Sequence, residues 1–250
     1  MNKRFKIALC ILLAVVLVVA ICILSGPKKV KVGVLAGTPM AYKNSDGVWT
    51  GFDIEFANKM FAEIGRVPEF VEVTATTRKK MLKKGEIDCY MSGTESSVGE
   101  FIHSEGYISA KQVVFHKNIE GIEVNSLYDL KNYRVGVLNN SKNEKTLSEY
   151  TQPINILEHS TNKEIINMLD ASDIDVALID YMYAEALVQN NAEHSTDVVG
   201  IIYDTCEHTV MFNQKNKKLC ENVSEKIREY KEQGYFEMLK NEYSMEKYYQ

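Results

Sequence analysis

The residues able to do chemistry in this chain sit where apolar runs stop. Asp180 ends Val176-Ala177-Leu178-Ile179, and Ser92, Gly93, Thr94 and Glu95 follow Ile87-Asp88-Cys89-Tyr90-Met91. Asn139, Asn140 and Ser141 follow Val135-Gly136-Val137-Leu138, and a stretch with Gly37, Met40 and Tyr42 follows the first apolar strand pattern. Hydroxyls, amides and carboxylates of this kind hold a small solute by charge and hydrogen bonding. The parts for catalysis are missing: no nucleophile–base pair is evident, and no CxxC, HExxH or Cys/His cluster offers metal ligands. No cofactor is expected. Asp180 has a second reading as the cap of a helix over 181–188, and the two roles are compatible. Glu95 and Glu100 read either as solvated loop charges or as lining a cleft, and Tyr42 and Trp49 either as ligand-facing aromatics or as packing.

Bringing these residues to one place requires strands whose carboxyl ends face each other, and the chain supplies them twice. Val30, Val32 and Val34 alternate into a strand, Asn44-Ser45-Asp46-Gly47 reads as a turn, and a helix starts at Gly51-Phe52-Asp53. Asp53 is placed to cap that helix, while Phe56, Met60 and Ile64 share one face of it. A strand over 70–73 and a basic helix over 77–84 come next, with Gly85 as the stop signal. On that helix Arg78, Lys79, Lys80, Lys83 and Lys84 read as a solvated face or, failing that, a docking patch. The programme then restarts. Val32-Gly33-Val34-Leu35 is echoed by Val135-Gly136-Val137-Leu138, and Glu86-Ile87-Asp88 by Asp173-Ile174-Asp175.

Two echoes in the same order point to two similar α/β lobes, each a mostly parallel sheet flanked by helices. Residues 112–116 and 209–212 read as strands that cross between the lobes. Helices carrying Leu219, Val223 and Ile227, then Phe236, Leu239 and Tyr243, fold back onto the first lobe. Open α/β sheets take ligands beyond the carboxyl ends of their strands, so the four polar stretches surround one cleft.

A chain of 250 residues with 45% apolar content can bury a full core. The net charge of −5 becomes −8 without Lys3, Arg4 and Lys6, and no basic patch interleaves with aromatics, which argues against a nucleic-acid partner. Those three cations precede an uninterrupted apolar run over 7–24, about the length that spans a bilayer, so residues 1–29 read as a membrane anchor or signal segment. Cys22 keeps a lipidated form open. Cys10 and Cys22 lie in that run; Cys89 reads as a core residue, and a bridge between Cys206 and Cys220 is left open.

Gly51-Phe52-Asp53-Ile54-Glu55-Phe56 resembles the Gly-Phe-Asp-x-Asp-hydrophobic signature of the extracellular solute-binding proteins of family 3, the polar amino-acid type with the type II periplasmic-binding fold. Pro39-Met40-Ala41-Tyr42, Ser92-Gly93-Thr94 and Ser126-Leu127-Tyr128-Asp129-Leu130 resemble further segments of it, as do Tyr107 and Gln112; Phe61 departs from the usual small residue. The likeness covers roughly residues 30–245.

The resemblance implies a monomeric, extracytoplasmic two-lobed clamp, with lobe 1 at 30–117 plus 205–250 and lobe 2 at 118–204, tethered by its N-terminal segment and delivering a small solute to a membrane ABC permease. It implies ligand contacts at Asp180, for an ammonium group, and at Ser141, with Asn140, Ser92, Gly93, Thr94, Glu95, Tyr42 and Met40 around them. The family's carboxylate-binding Arg, expected after Gly93, has no counterpart in Ser96-Ser97-Val98-Gly99-Glu100-Phe101, and Gly37, Met40 and Ala75 stand where larger or aromatic walls are usual. An unpaired carboxylate is costly in a closed cleft. An amine, a substituted amino acid or a small peptide-like cation is therefore expected over a standard free amino acid, with His103 or Lys111 as possible substitutes for the Arg. The same fold also serves as a ligand-sensing ectodomain, and a few relatives act as enzymes.

Overall fold

The computed structural model describes residues 26–37, 39–93, 101–117, 121–150, 153–181, 183–184 and 198–245. Most of the segment read as an anchor, the loop holding Thr94, Glu95 and Glu100, and most of the helix expected after Asp180 lie outside the described residues. Among the described residues no helix is long and apolar enough to cross a membrane.

The alternating valines Val30, Val32 and Val34 bury one face of strand β1 (Lys28–Leu35). In the turn joining β2 (Tyr42–Lys43) to β3 (Trp49–Thr50), Asn44 Oδ1 accepts the Asp46 and Val48 amides at 3.0 and 2.9 Å. Helix α1 (Phe52–Glu63) begins at Gly51, whose φ of 119° belongs to glycine. A Cβ there would lie 2.5 Å from the Met40 carbonyl oxygen. The helix's first amides are satisfied by backbone: Phe52 donates to the Pro39 carbonyl at 3.0 Å and Asp53 to that of Met40 at 2.9 Å. Asp53 is therefore not the cap expected of it. With the amides already bonded, its side chain turns inward, 2% exposed, to other partners.

Strand β4 (Arg66–Val73) starts earlier than expected, and α2 (Arg78–Lys84) closes at Gly85 in the left-handed region, as the Gly stop signal predicts. Strands β5 (Cys89–Gly93), β6 (Phe101–His103) and β7 (Ile108–Lys117) follow. The second half runs β8 (Arg134–Leu138), α3 (Lys142–Ser148), β9 (Asn155–His159), α4 (Asn162–Asp170), β10 (Val176–Asp180) and β11 (Val198–Asn213), and then α5 (Lys217–Glu232) and α6 (Tyr235–Glu242).

The sheet order is β4-β1-β5-β11-β7-β10-β8-β9. β1 lies parallel between β4 and β5, as β8 does between β9 and β10, so the α/β architecture has two matching lobes. β7 and β11 are the antiparallel strands between the two parallel triplets; β11 pairs with β7 and then with β5.

The echoes have structural causes. Asp88 accepts the Lys31 amide at 2.9 Å and Asp175 the Arg134 amide at 2.8 Å, so each aspartate ties its segment to its lobe's middle strand. A Cβ on Gly33 would meet Ile87 Cδ1 at 2.8 Å, and one on Gly136 would meet Ile174 Cδ1 at 2.5 Å. The two glycines admit the isoleucines that precede the aspartates.

Aromatic side chains lock the C-terminal helices onto α1. Phe236 meets Phe56 edge-on at 5.1 Å, and Val223, Ile227 and Tyr230 of α5 are buried in the same cluster. Cys89, Cys206 and Cys220 are buried, and the Cys206–Cys220 bridge does not form. Cys206 lines the interlobe cavity, whereas Cys220 sits on the buried side of α5.

Candidate ligand-binding cleft

The carboxyl ends of β1, β5, β8 and β10 converge on one cavity lined by Leu35, Ser92, Leu138, Ser141 and Asp180. It measures about 40 Å³, room for roughly three waters. Each carboxylate oxygen of Asp180, the last residue of β10, has a partner from this chain. Gln112 Nε2 of β7 donates to its Oδ1 at 2.7 Å, and His208 Nε2 of β11 lies 3.1 Å from its Oδ2. The network continues outward: Asn143 Nδ2 donates to Gln112 Oε1 at 2.9 Å, and Tyr203 donates to Asn143 Oδ1. These bonds reach from a helix and two strands to one carboxylate on a third strand, which fixes it at the seam of the lobes.

A second buried carboxylate stands behind the first. Asp53 accepts hydrogen bonds from Ser92 Oγ and Tyr107 OH, both at 2.7 Å. Burial raises its pKa from 3.8 to about 6, against the opposing pull of those two bonds and of His208. For His208, burial works downward, but the hydrogen bond and charge of Asp180 outweigh it and the pKa ends above the ordinary imidazole value.

Arg78 corrects the sequence reading most sharply. Expected on a solvated face, it is 1% exposed and lines the cavity. Its guanidinium stands 5.2 Å over the Tyr90 ring, and Nη2 donates to the Asn140 carbonyl at 3.1 Å. It opens the first turn of α2 at the carboxyl end of the sheet, so it points where the loops point, while Lys83 and Lys84 one turn later reach solvent. The same segment joins the lobes: the Ala75 amide donates to the Ser160 carbonyl at 3.0 Å, Thr76 Oγ1 to Ser160 Oγ at 3.2 Å, and Lys79 Nζ to Asn140 Oδ1 at 3.2 Å.

Of the residues expected at the site, Asp180, Ser92 and Ser141 line the cavity, and Asn140 stands beside it as the partner of Arg78 and Lys79. Ser141 Oγ also accepts the Glu144 amide at 3.1 Å as the cap of α3. Met40 is fully buried beneath α1, Tyr42 pairs with Thr50, and Gly93 packs on Met211; none of these three is in the lining. Thr94 and Glu95 lie outside the described residues. His103 is exposed and bonds the Ser104 carbonyl.

Sequence reasoning missed Arg78, His208, Asn143 and Tyr183. The one available signal was position, since a His inside a crossing strand and an Arg in the first turn after a strand both face the cleft. The small residue Gly37, read as an eroded wall, is covered from the other lobe by Tyr183; a Cβ on it would fall 2.4 Å from Tyr183 Cε1.

Two matched α/β lobes, crossing strands between them and a buried charged cavity at the seam define a two-lobed binding protein. The chain belongs to the bacterial extracellular solute-binding proteins, family 3, whose profile matches residues 30–246. The Histidine-binding periplasmic protein of Salmonella typhimurium is 30% identical over 165 residues, and that match spans 63% of this chain and 63% of the relative. The ABC transporter glutamine-binding protein GlnH of Bacillus subtilis is 24% identical over 264 residues, covering 95% of each. Among solved structures, an ancestral arginine-binding protein bound to glutamine superimposes with a TM-score of 0.77 at 24% identity, over 87% of this chain and 98% of that one. That likeness establishes the fold. The family and these relatives are binding proteins rather than enzymes.

Proposed function

We propose that this protein captures a small amino-acid-like solute between its lobes, divided at 30–117 plus 205–250 and 118–204, and delivers it to a membrane ABC permease. In this reading it works outside the cytoplasm as a monomer tethered by its N-terminal segment. The observation that carries the proposal is the presence of Asp180 and Arg78 in the lining of one cavity, which suits the ammonium and the carboxylate of one small molecule. The expectation of an amine, a substituted amino acid or a small peptide-like cation followed from the missing Arg at 96–101; with the Arg78 guanidinium in the cleft, a carboxylate-bearing solute becomes the better fit. Ser92, Asn140 and Ser141 stand where they would add hydrogen bonds. A solute needs more room than 40 Å³, so the contacts of Ala75 and Thr76 with Ser160 must part for it to enter.

Thermal unfolding of the full chain with individual L-amino acids and short peptides tests the reading. A ligand at about 100 times its Kd adds nearly 3 kcal/mol, roughly 6–10 °C in Tm. Asp180→Ala should abolish the response, and Arg78→Met should abolish it for carboxylate-bearing ligands. A panel without a responding solute, or an Asp180→Ala protein that still responds, refutes the proposal.

A further inference from the structure

His208 sits where a ligand cation would have to act. Its ring is 1% exposed, lines the cavity and holds one oxygen of Asp180 at 3.1 Å, while Gln112 holds the other. Its second nitrogen, Nδ1, is buried and has no hydrogen-bond partner among the described residues. The groups facing it are Asp180 of β10, Asp53 of α1, Arg78 of α2, Tyr107 just before β7, Tyr183 after β10, and Cys206 on its own strand. Two carboxylates favour the imidazolium and one guanidinium opposes it. In the empty cleft His208 is thus the internal counter-cation of Asp180.

We propose that His208 is a specificity-determining residue that makes capture of an ammonium-bearing solute proton-linked: the incoming ammonium takes a place on Asp180 and His208 gives up its Nδ1 proton to solvent. The inference rests on the solute-binding reading above and specifies how that cleft selects its ligand. The proton balance is simple. Before binding, the pair is His208⁺ with Asp180⁻; afterwards, the ligand ammonium replaces the charge, and neutral His208 keeps its Nε2–H on the carboxylate. The Nδ1 proton leaves because no described hydrogen bond retains it. Two cations sharing one buried carboxylate repel each other strongly, and release of this proton relieves the repulsion. Asp180 and Asp53 raise the pKa of His208 above the ordinary imidazole value in spite of its burial, which favours the protonated ring before the ligand arrives.

The consequence is affinity that rises with pH, by up to about tenfold per pH unit for one linked proton. The test is titration calorimetry of the full chain in detergent, with L-glutamine and L-arginine as probes, in phosphate and in Tris at pH 6, 7 and 8. The expected result is a buffer-dependent heat that reports proton release on binding, larger at pH 6 than at pH 8 and absent in His208→Gln. Because Asp53 also titrates near this range, Asp53→Asn is run in parallel and should keep the release. The wild-type measurement needs no variant, so misfolding of His208→Gln does not blunt it. Binding with equal heats in both buffers and a flat pH profile overturns the inference and leaves the solute-binding reading standing. So does release that persists in His208→Gln and vanishes in Asp53→Asn. Failure of both probes to bind overturns the inference and counts against the proposed function as well.

Discussion

Replacing Asp53 with Asn should change the pH dependence of stability in a way set by its burial. In the folded protein Asp53 titrates near 6 against 3.8 unfolded, because burial penalises its charge more than Ser92 and Tyr107 stabilise it. The folded state therefore holds the proton longer. That advantage is complete below about pH 3.8 and disappears as pH rises through 6. A gap of about two pH units corresponds to about 3 kcal/mol. Carboxylates held low by cationic neighbours, such as Glu63 at about 2 with its bond to Lys59, tilt the wild-type curve the opposite way. The informative quantity is thus the difference between wild type and Asp53→Asn. Urea unfolding at pH 4, 5, 6 and 7 can be followed by Trp49, the only tryptophan, which is half-buried under Lys43. Asp53→Asn should gain about 2–2.5 kcal/mol relative to wild type between pH 4 and pH 7. A difference curve that is flat, or that falls with pH, would show that the two hydroxyl bonds outweigh burial and that the reasoning is wrong.

Further outcomes follow from the geometry. Asp88→Ala and Asp175→Ala each remove the acceptor of a middle-strand amide, and each should lower urea-unfolding stability by about 1–2 kcal/mol, with matching losses if the lobes are equivalent. The share due to Asp175, whose pKa is lowered by Arg134, is lost as pH falls through its depressed value, so Asp175→Ala should approach wild type in acid. Gly51→Ala forces a side chain into a φ of 119° against the Met40 carbonyl and should cost at least about 2 kcal/mol in thermal unfolding. Gly37→Ala drives a methyl into Tyr183 and should weaken binding of a responding solute about tenfold by calorimetry, equivalent to about 1.4 kcal/mol.

Most of the scaffold was legible because it is written in local terms. Alternating valines, a turn rich in Asn and Gly, a Gly stop and a Ser-x-x-Asp opening each act within a few residues. Ser126 and Asp129 form the capping box that their spacing suggests. The paired aspartates were visible as an echo before their bonds were known. The cleft was only half legible, for a physical reason. Patterning assigns burial to apolar residues, so an Arg among lysines reads as solvated, and nothing local says that Asn140 and Tyr90 will enclose it. Asp53 misled in the same way: a good cap residue at the right place lost its role to the carbonyls of Pro39 and Met40, which lie more than ten residues earlier. His208 and Asp180 are 28 residues apart and meet only because β11 runs alongside β7.

The shared strand β11 also sets an order of events during biosynthesis. β5 is completed on its open side by residues 209–212, more than a hundred positions downstream, and α1 receives its covering aromatics from α5 and α6 later still. A chain emerging amino end first therefore carries β1, β4 and β5 with a bare edge and an uncovered greasy helix until nearly all of it has been made. The first lobe to be synthesised is the last to close, and in that interval the edge of β5 is the surface on which a chaperone, or another copy of the nascent chain, would act.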